Sequence, residues 1–106
     1  MRLGIIIYSN DAETVWNALR FANFSLKEGD TVKIFLLAKG VEYEKLDSDK
    51  FNIKNQTKSF LDKNGKIFAC GTCLKSRGSE DSETHPMSTM KDLYELVKAS
   101  DKVLSF

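Results

Sequence analysis

The chain has 106 residues, enough for one domain and too few for two ordinary ones. Hydrophobic residues make up 42% and charged residues 29%, a globular balance that excludes disorder, collagen and low complexity. Sixteen Lys and Arg against fifteen Asp and Glu leave a net charge of +1, which argues against nucleic acid or an anionic membrane as partner.

The first apolar run, Leu3 to Tyr8, follows a single basic residue and is soon interrupted by Asp11 and Glu13. It is too short for a secretory signal or a membrane span, and reads as a strand. Asp11 to Glu28 then reads as a helix, with Ser9, Asn10 and Asp11 as candidate N-cap side chains and Gly29 as its C′ glycine. Ala12, Val15, Trp16, Leu19, Ala22 and Leu26 form one apolar stripe, which Ala18, Phe21 and Phe24 widen beyond what one sheet contact needs. This excess predicts either self-association or burial of the two rings under a loop. A second strand, Val32 to Ala38, precedes Val41 to Asp49, a stretch compatible with a loop, a helical turn or a short extra strand. Ile53 to Lys63 is a second helix ended by Asn64-Gly65, and Ile67 to Cys70 a third strand. Ser79 to Met87 is polar and acidic and predicts an exposed loop around Glu80 to Pro86. Ser88 is the expected cap of a last helix carrying Met90, Leu93, Tyr94 and Val97, before a closing strand at Val103 to Phe106. The strands are nearly continuous apolar runs, as expected where both faces of a parallel sheet are covered. Repeated strand–helix–strand units predict an α/β three-layer sandwich, residues 1–106, with a mainly parallel sheet of four to five strands.

Chemistry concentrates at Cys70-Gly71-Thr72-Cys73-Leu74-Lys75-Ser76-Arg77-Gly78. Cys70 ends a strand, where ligands gather in open α/β sheets, and a short helix follows it. Peptide dipoles there favour thiolate, the form that attacks sulfur. Gly71 would let a second molecule approach the backbone, and exposed amides around Thr72 would hold an anion. The competing reading is a small buried core cysteine. Cys73 lies one helical turn on, with about 5–6 Å between Cβ atoms to be shortened for a disulfide. A thioredoxin-type site is disfavoured, because the motif follows three strands and Pro86 is the only proline. A zinc site would need two further ligands, and His85 is the sole histidine, so no metal is expected. Lys75 and Arg77 are candidates for lowering a thiol's pKa or docking an acidic partner, and the alternative is a plain exposed helix face. Ser9 and Asn10 share the sheet edge of Cys70 if all strands run parallel. No P-loop or GxGxxG fingerprint occurs, so no nucleotide cofactor is expected. Two neighbouring cysteines cannot staple a secreted scaffold, which predicts a cytoplasmic protein.

These residues resemble the DsrE/DsrF-like (YchN-like) proteins. The likeness runs through Ile6-Ile7-Tyr8-Ser9-Asn10-Asp11 into Ala12 to Ala22, through Val32 to Leu37 with Gly40-Val41, through Cys70 to Gly78, and through Leu93 to Phe106. It is weakest over Tyr43 to Gln56 and the acidic loop. The resemblance implies a small α/β subunit that forms homotrimers or homohexamers and takes sulfane sulfur as a persulfide from a donor protein to an acceptor. Counted back from Arg77-Gly78, Cys70 matches the family's sulfur-carrying position. Cys73 falls where relay subunits have alanine, although other members show a paired cysteine. The expected function is therefore a sulfur relay on Cys70, a persulfide sulfurtransferase. The alternatives are a non-catalytic oligomeric binding subunit and a Cys70/Cys73 dithiol redox protein.

Overall fold

Asp11 starts the first helix: its carboxylate accepts from the Thr14 N–H and hydroxyl, each at 2.9 Å, while Ser9 Oγ accepts from the Asp11 N–H at 3.0 Å. The computed structural model of the chain describes residues 1–78 and 86–106. In chain order its elements are β1 (Arg2–Ile7), α1 (Ala12–Lys27), β2 (Thr31–Leu36), a 3₁₀ helix (Ala38–Leu46), α2 (Ile53–Asp62), β3 (Lys66–Cys70), α3 (Gly71–Ser76), β4 (Met87–Ser88), α4 (Met90–Ala99) and β5 (Lys102–Ser105). Gly29 closes α1 at φ +95°, a left-handed position that glycine adopts without a Cβ clash.

The five strands form one all-parallel sheet in the order β4-β3-β2-β1-β5. Strand alternation assigns the two faces. A Cβ on Gly4 would meet Leu96 of α4 and Ser100 just after it, so Gly4 faces α4. The alternate set (Leu3, Ile5 and Ile7; Val32, Ile34 and Leu36; Ile67 and Ala69) is buried and faces α1 and α2. Val15, Ala18, Leu19 and Ala22 close that layer from α1, with Ile53 and Phe60 from α2. Each fully buried Val, Leu, Ile or Phe contributes about 1.5–3 kcal/mol relative to exposure, so this layer carries most of the stability. Trp16 is half-buried at its margin, 5.5 Å from the Phe51 ring, with the Arg20 guanidinium 4.4 Å from its own ring. Among the described residues no helix is long and apolar enough to cross a membrane.

Of the three readings of Val41 to Asp49, the helical turn is the one found, since most of the stretch is the end of the 3₁₀ helix. Other expectations change. Ser88 lies in β4 and does not cap α4. Thr89 does so, accepting from the Asp92 N–H at 3.3 Å while Asp92 accepts from the Thr89 N–H at 2.8 Å. Met87, expected in the acidic loop, pairs with Ala69 in β4, and the remainder of that loop, with His85, lies outside the described residues. The closing strand is not covered on both faces: all four residues of β5 are exposed at the sheet edge. Phe21 and Phe24 are 44% and 58% exposed, which removes the reading in which a loop buries them.

Candidate functional site

Because every strand runs the same way, the segments leaving β1, β2 and β3 meet on one edge. Ser9 and Asn10 follow β1, Leu37 and Ala38 follow β2, and Cys70 ends β3 and precedes the six-residue α3. Cys70 and Cys73 are both free thiols. Cys70 is 3% exposed and belongs to the core cluster, whereas Cys73 is half-buried. The openness expected of Cys70 is therefore not found. Next to it, Met87 and the Ser88 carbonyl of β4 lie where a Gly71 side chain would be. Gly71 is buried and seats β4 against α3, so the open backbone expected there is not found.

Cys73 is the better-connected sulfur. The Ala38 N–H points to its Sγ at 3.3 Å. Ala38 adopts a left-handed backbone, φ +51°, which costs an L-residue about 1–2 kcal/mol. The turn is held by the Leu37 N–H on the Ile7 carbonyl and the Gly40 N–H on the Leu37 carbonyl, each at 2.9 Å. A Cβ on Gly40 would overlap the Ile7 carbonyl, so only glycine lets the 3₁₀ helix lie this close to β1. Burial pushes the Cys73 thiol above the usual cysteine value, and a hydrogen bond and the charge of Cys70 push the same way. The Ala38 N–H and the Arg77 charge oppose them. Its surroundings consequently favour the protonated Cys73 thiol.

Arg77 completes the edge. Its Nε donates to Glu42 Oε2 at 2.6 Å in a partly screened pair, 27% and 28% exposed, and its Nη1 donates to the Cys73 carbonyl at 3.1 Å. The Arg77 hydrogen bond holds the Glu42 carboxyl below its ordinary value, and Asn10 adds a further hydrogen bond. Asn10, Glu42, Arg77 and Cys73 therefore form one connected chain. Ser9 is occupied with the α1 start, while Thr72 and Lys75 are exposed. Among the described residues no three His, Cys, Asp or Glu gather as metal ligands. Sequence reasoning missed Ala38 and Glu42. Glu42 lies inside the stretch left unassigned, and nothing in an alanine announces a bonding backbone amide.

The model of the DsrE/DsrF-like family matches residues 1–106. An uncharacterized protein of Methanocaldococcus jannaschii is 36% identical over 100 residues, covering 89% of this chain and 88% of its own. An uncharacterized protein of Methanopyrus kandleri is 38% identical over 100 residues, covering 89% and 83%. Among solved structures, the ychN protein from E. coli superposes with a TM-score of 0.83 at 21% identity over the whole of both chains. A protein of unknown function from Bacteroides thetaiotaomicron gives 0.77 at 23% identity, over 99% of this chain and 94% of its own. At these identities the structures share the fold. The match of the family model from Met1 to Phe106 goes further: the chain belongs to the DsrE/DsrF-like family.

Proposed function

We propose that this protein is a sulfur-relay subunit that carries sulfane sulfur as a persulfide on Cys70. The observation carrying the proposal is the placement of two free thiols at the carboxyl edge of β3 and in the following helix, with Cys73 Sγ accepting from the Ala38 N–H at 3.3 Å. Membership of the family supports it. In the proposed step the Cys70 thiolate attacks the outer sulfur of a donor persulfide, R–S–SH. The donor's S–S bond breaks, the donor leaves as the thiolate R–S⁻, and Cys70 holds –S–SH. An acceptor thiolate then attacks that outer sulfur and restores the Cys70 thiolate, with no net change of oxidation state. Cys70 is 3% exposed, so it meets a donor only after local opening. The proposed opening is a displacement of the two-residue β4, which pairs with Ala69 and Cys70 beside the Ala69 N–H bond to the Pro86 carbonyl at 3.2 Å. Copies of this chain are proposed to assemble through exposed apolar faces, including Phe21 and Phe24 on α1.

The contact between the thiols favours one second reading, a reversible Cys70–Cys73 disulfide. Treatment with inorganic polysulfide, alkylation and fragment-ion mass spectrometry separates the two. The relay predicts one additional sulfur on Cys70 that is absent from Cys70→Ser. Loss of two hydrogens across both cysteines, without added sulfur, would favour the disulfide, and an unmodified but alkylatable Cys70 would defeat both.

A further inference from the structure

A relay on Cys70 leaves its neighbour Cys73 without a task. Cys70 is the cap residue of α3, and Cys73 is the third residue of that helix. Side chains at these two positions meet across the first turn, as in a capping box. The same positions in α4 show it: the hydroxyl of the cap residue, Thr89, donates to the carboxylate of the third residue, Asp92, at 3.1 Å. In α3 both side chains end in sulfur, and both are free thiols. The Cys70 side chain acts on the Cys73 thiol by a hydrogen bond and by its charge, so the two sulfurs are neighbours.

Cys73 is held from both ends. Its Sγ accepts from the Ala38 N–H at 3.3 Å, and its carbonyl accepts from the Ser76 hydroxyl at 2.9 Å and from Arg77 Nη1 at 3.1 Å. Cys70, in contrast, is 3% exposed, so a sulfur carried there is screened from thiols in solution. The chain has two cysteines in all. A persulfide on Cys70 therefore has one thiol within its own chain to react with, and that thiol is fixed beside it.

We propose, resting on the relay reading, that Cys73 resolves a Cys70 persulfide that meets no acceptor, releasing hydrogen sulfide and leaving a Cys70–Cys73 disulfide. Cys73 Sγ attacks the inner sulfur, which is Cys70 Sγ itself and sits where the fold fixes it. The bond between the two cysteine sulfurs forms and the bond from Cys70 Sγ to the outer sulfur breaks. The outer sulfur leaves with the bonding pair as HS⁻ and takes up the proton that Cys73 gives away, as H₂S. The two electrons that reduce the sulfane sulfur come from the thiol pair. An external dithiol restores the pair: it attacks the half-buried Cys73 sulfur and then closes its own disulfide. The surroundings of Cys73 favour its protonated form, which is a weak nucleophile, so an acceptor is served before the sulfur is released.

The test uses the wild type and Cys73→Ser, each loaded with inorganic polysulfide, freed of excess donor and left without oxygen or acceptor. Mass spectrometry follows persulfide and disulfide, a bimane trap follows sulfide, and rates are taken per persulfide actually held. The wild type should lose its added sulfur while gaining a disulfide and releasing an equal amount of sulfide, at a rate independent of protein concentration. Cys73→Ser should lose its sulfur at least about tenfold more slowly, because the advantage of a thiol held in the same chain is gone. A wild-type persulfide as durable as that of Cys73→Ser, or a disulfide without matching sulfide, would overturn the inference and leave the relay standing. No added sulfur on Cys70 at the loading step would overturn the relay and this inference together. The match of sulfide to disulfide is read in the wild type alone, so it decides the matter even where the variant does not fold.

Discussion

Cys73 and Arg77 were both legible as residues near a reactive thiol, but their partners were not. Glu42 is 35 residues from Arg77, and Ala38 is 35 from Cys73, with only backbone chemistry to offer. Their effects are measurable through pH. Burial and Cys70 raise the Cys73 thiol above its ordinary value of 9.0, so Cys73 is protonated at neutral pH. Its contribution to stability is present below that ordinary value and is lost as pH rises through the raised one. Alkylation of Cys73 by iodoacetamide should therefore be slow at neutral pH and accelerate only in the alkaline range, with an earlier onset in Cys70→Ala. An onset unchanged by Cys70→Ala would contradict the coupling. Glu42 runs the other way. Its carboxyl is held below 4.5, so its stabilising effect is present above that value and fades as pH falls through the lowered one. Glu42→Gln should flatten the acid limb of a melting-temperature profile, and an unaltered limb would show that the Arg77 pair contributes nothing.

At the scale of elements, the strand–helix alternation was readable because each strand is a continuous apolar run and each helix has a cap. Asp11 and Gly29 bracket α1 in the sequence as they do in the structure. What escaped were the pieces made by tertiary contact. β4 has two residues, too few for any periodicity, and it exists because β3 offers an open ladder edge at Ala69 and Cys70. The 3₁₀ helix exists because Gly40 can lie against the Ile7 carbonyl. Cys70, which pairs with Ser88 of β4, is part of the buried core, and no sequence pattern announced that pairing. Met87→Ala should raise the alkylation rate of Cys70 several-fold while leaving the rate at Cys73 nearly unchanged. Equal rates before and after would mean that another part of the fold covers the thiol. Gly40→Ala should lower the melting temperature by more than a surface substitution does, since the added Cβ forces the backbone of β1 or the turn to move.

Among the described residues, both faces of the sheet carry buried side chains, and apolar groups are left bare at its margin and on two helices. α1 and α2 cover one face, while β5 is exposed along its length and α4 turns Met90, Tyr94 and Val97 to solvent. With Phe21 and Phe24 also exposed, the apolar surface exceeds what scattered single residues would give, and it motivates the proposed self-association. Light scattering should find a multimer that Phe24→Glu shifts toward the monomer, and a wild-type monomer at high concentration would refute the assembly. The surplus on α1 was visible in the sequence, whereas the bare edge at β5 was not, because its apolar run looks like that of a covered strand. The central claim, that sulfur passes through Cys70, is tested most directly by single-turnover transfer. Protein loaded with ³⁵S-labelled polysulfide, freed of excess donor, is mixed with a small acceptor thiol. The account predicts that label leaves the wild type as acceptor persulfide and that Cys70→Ser neither holds nor transfers it; equal transfer by that variant would contradict it.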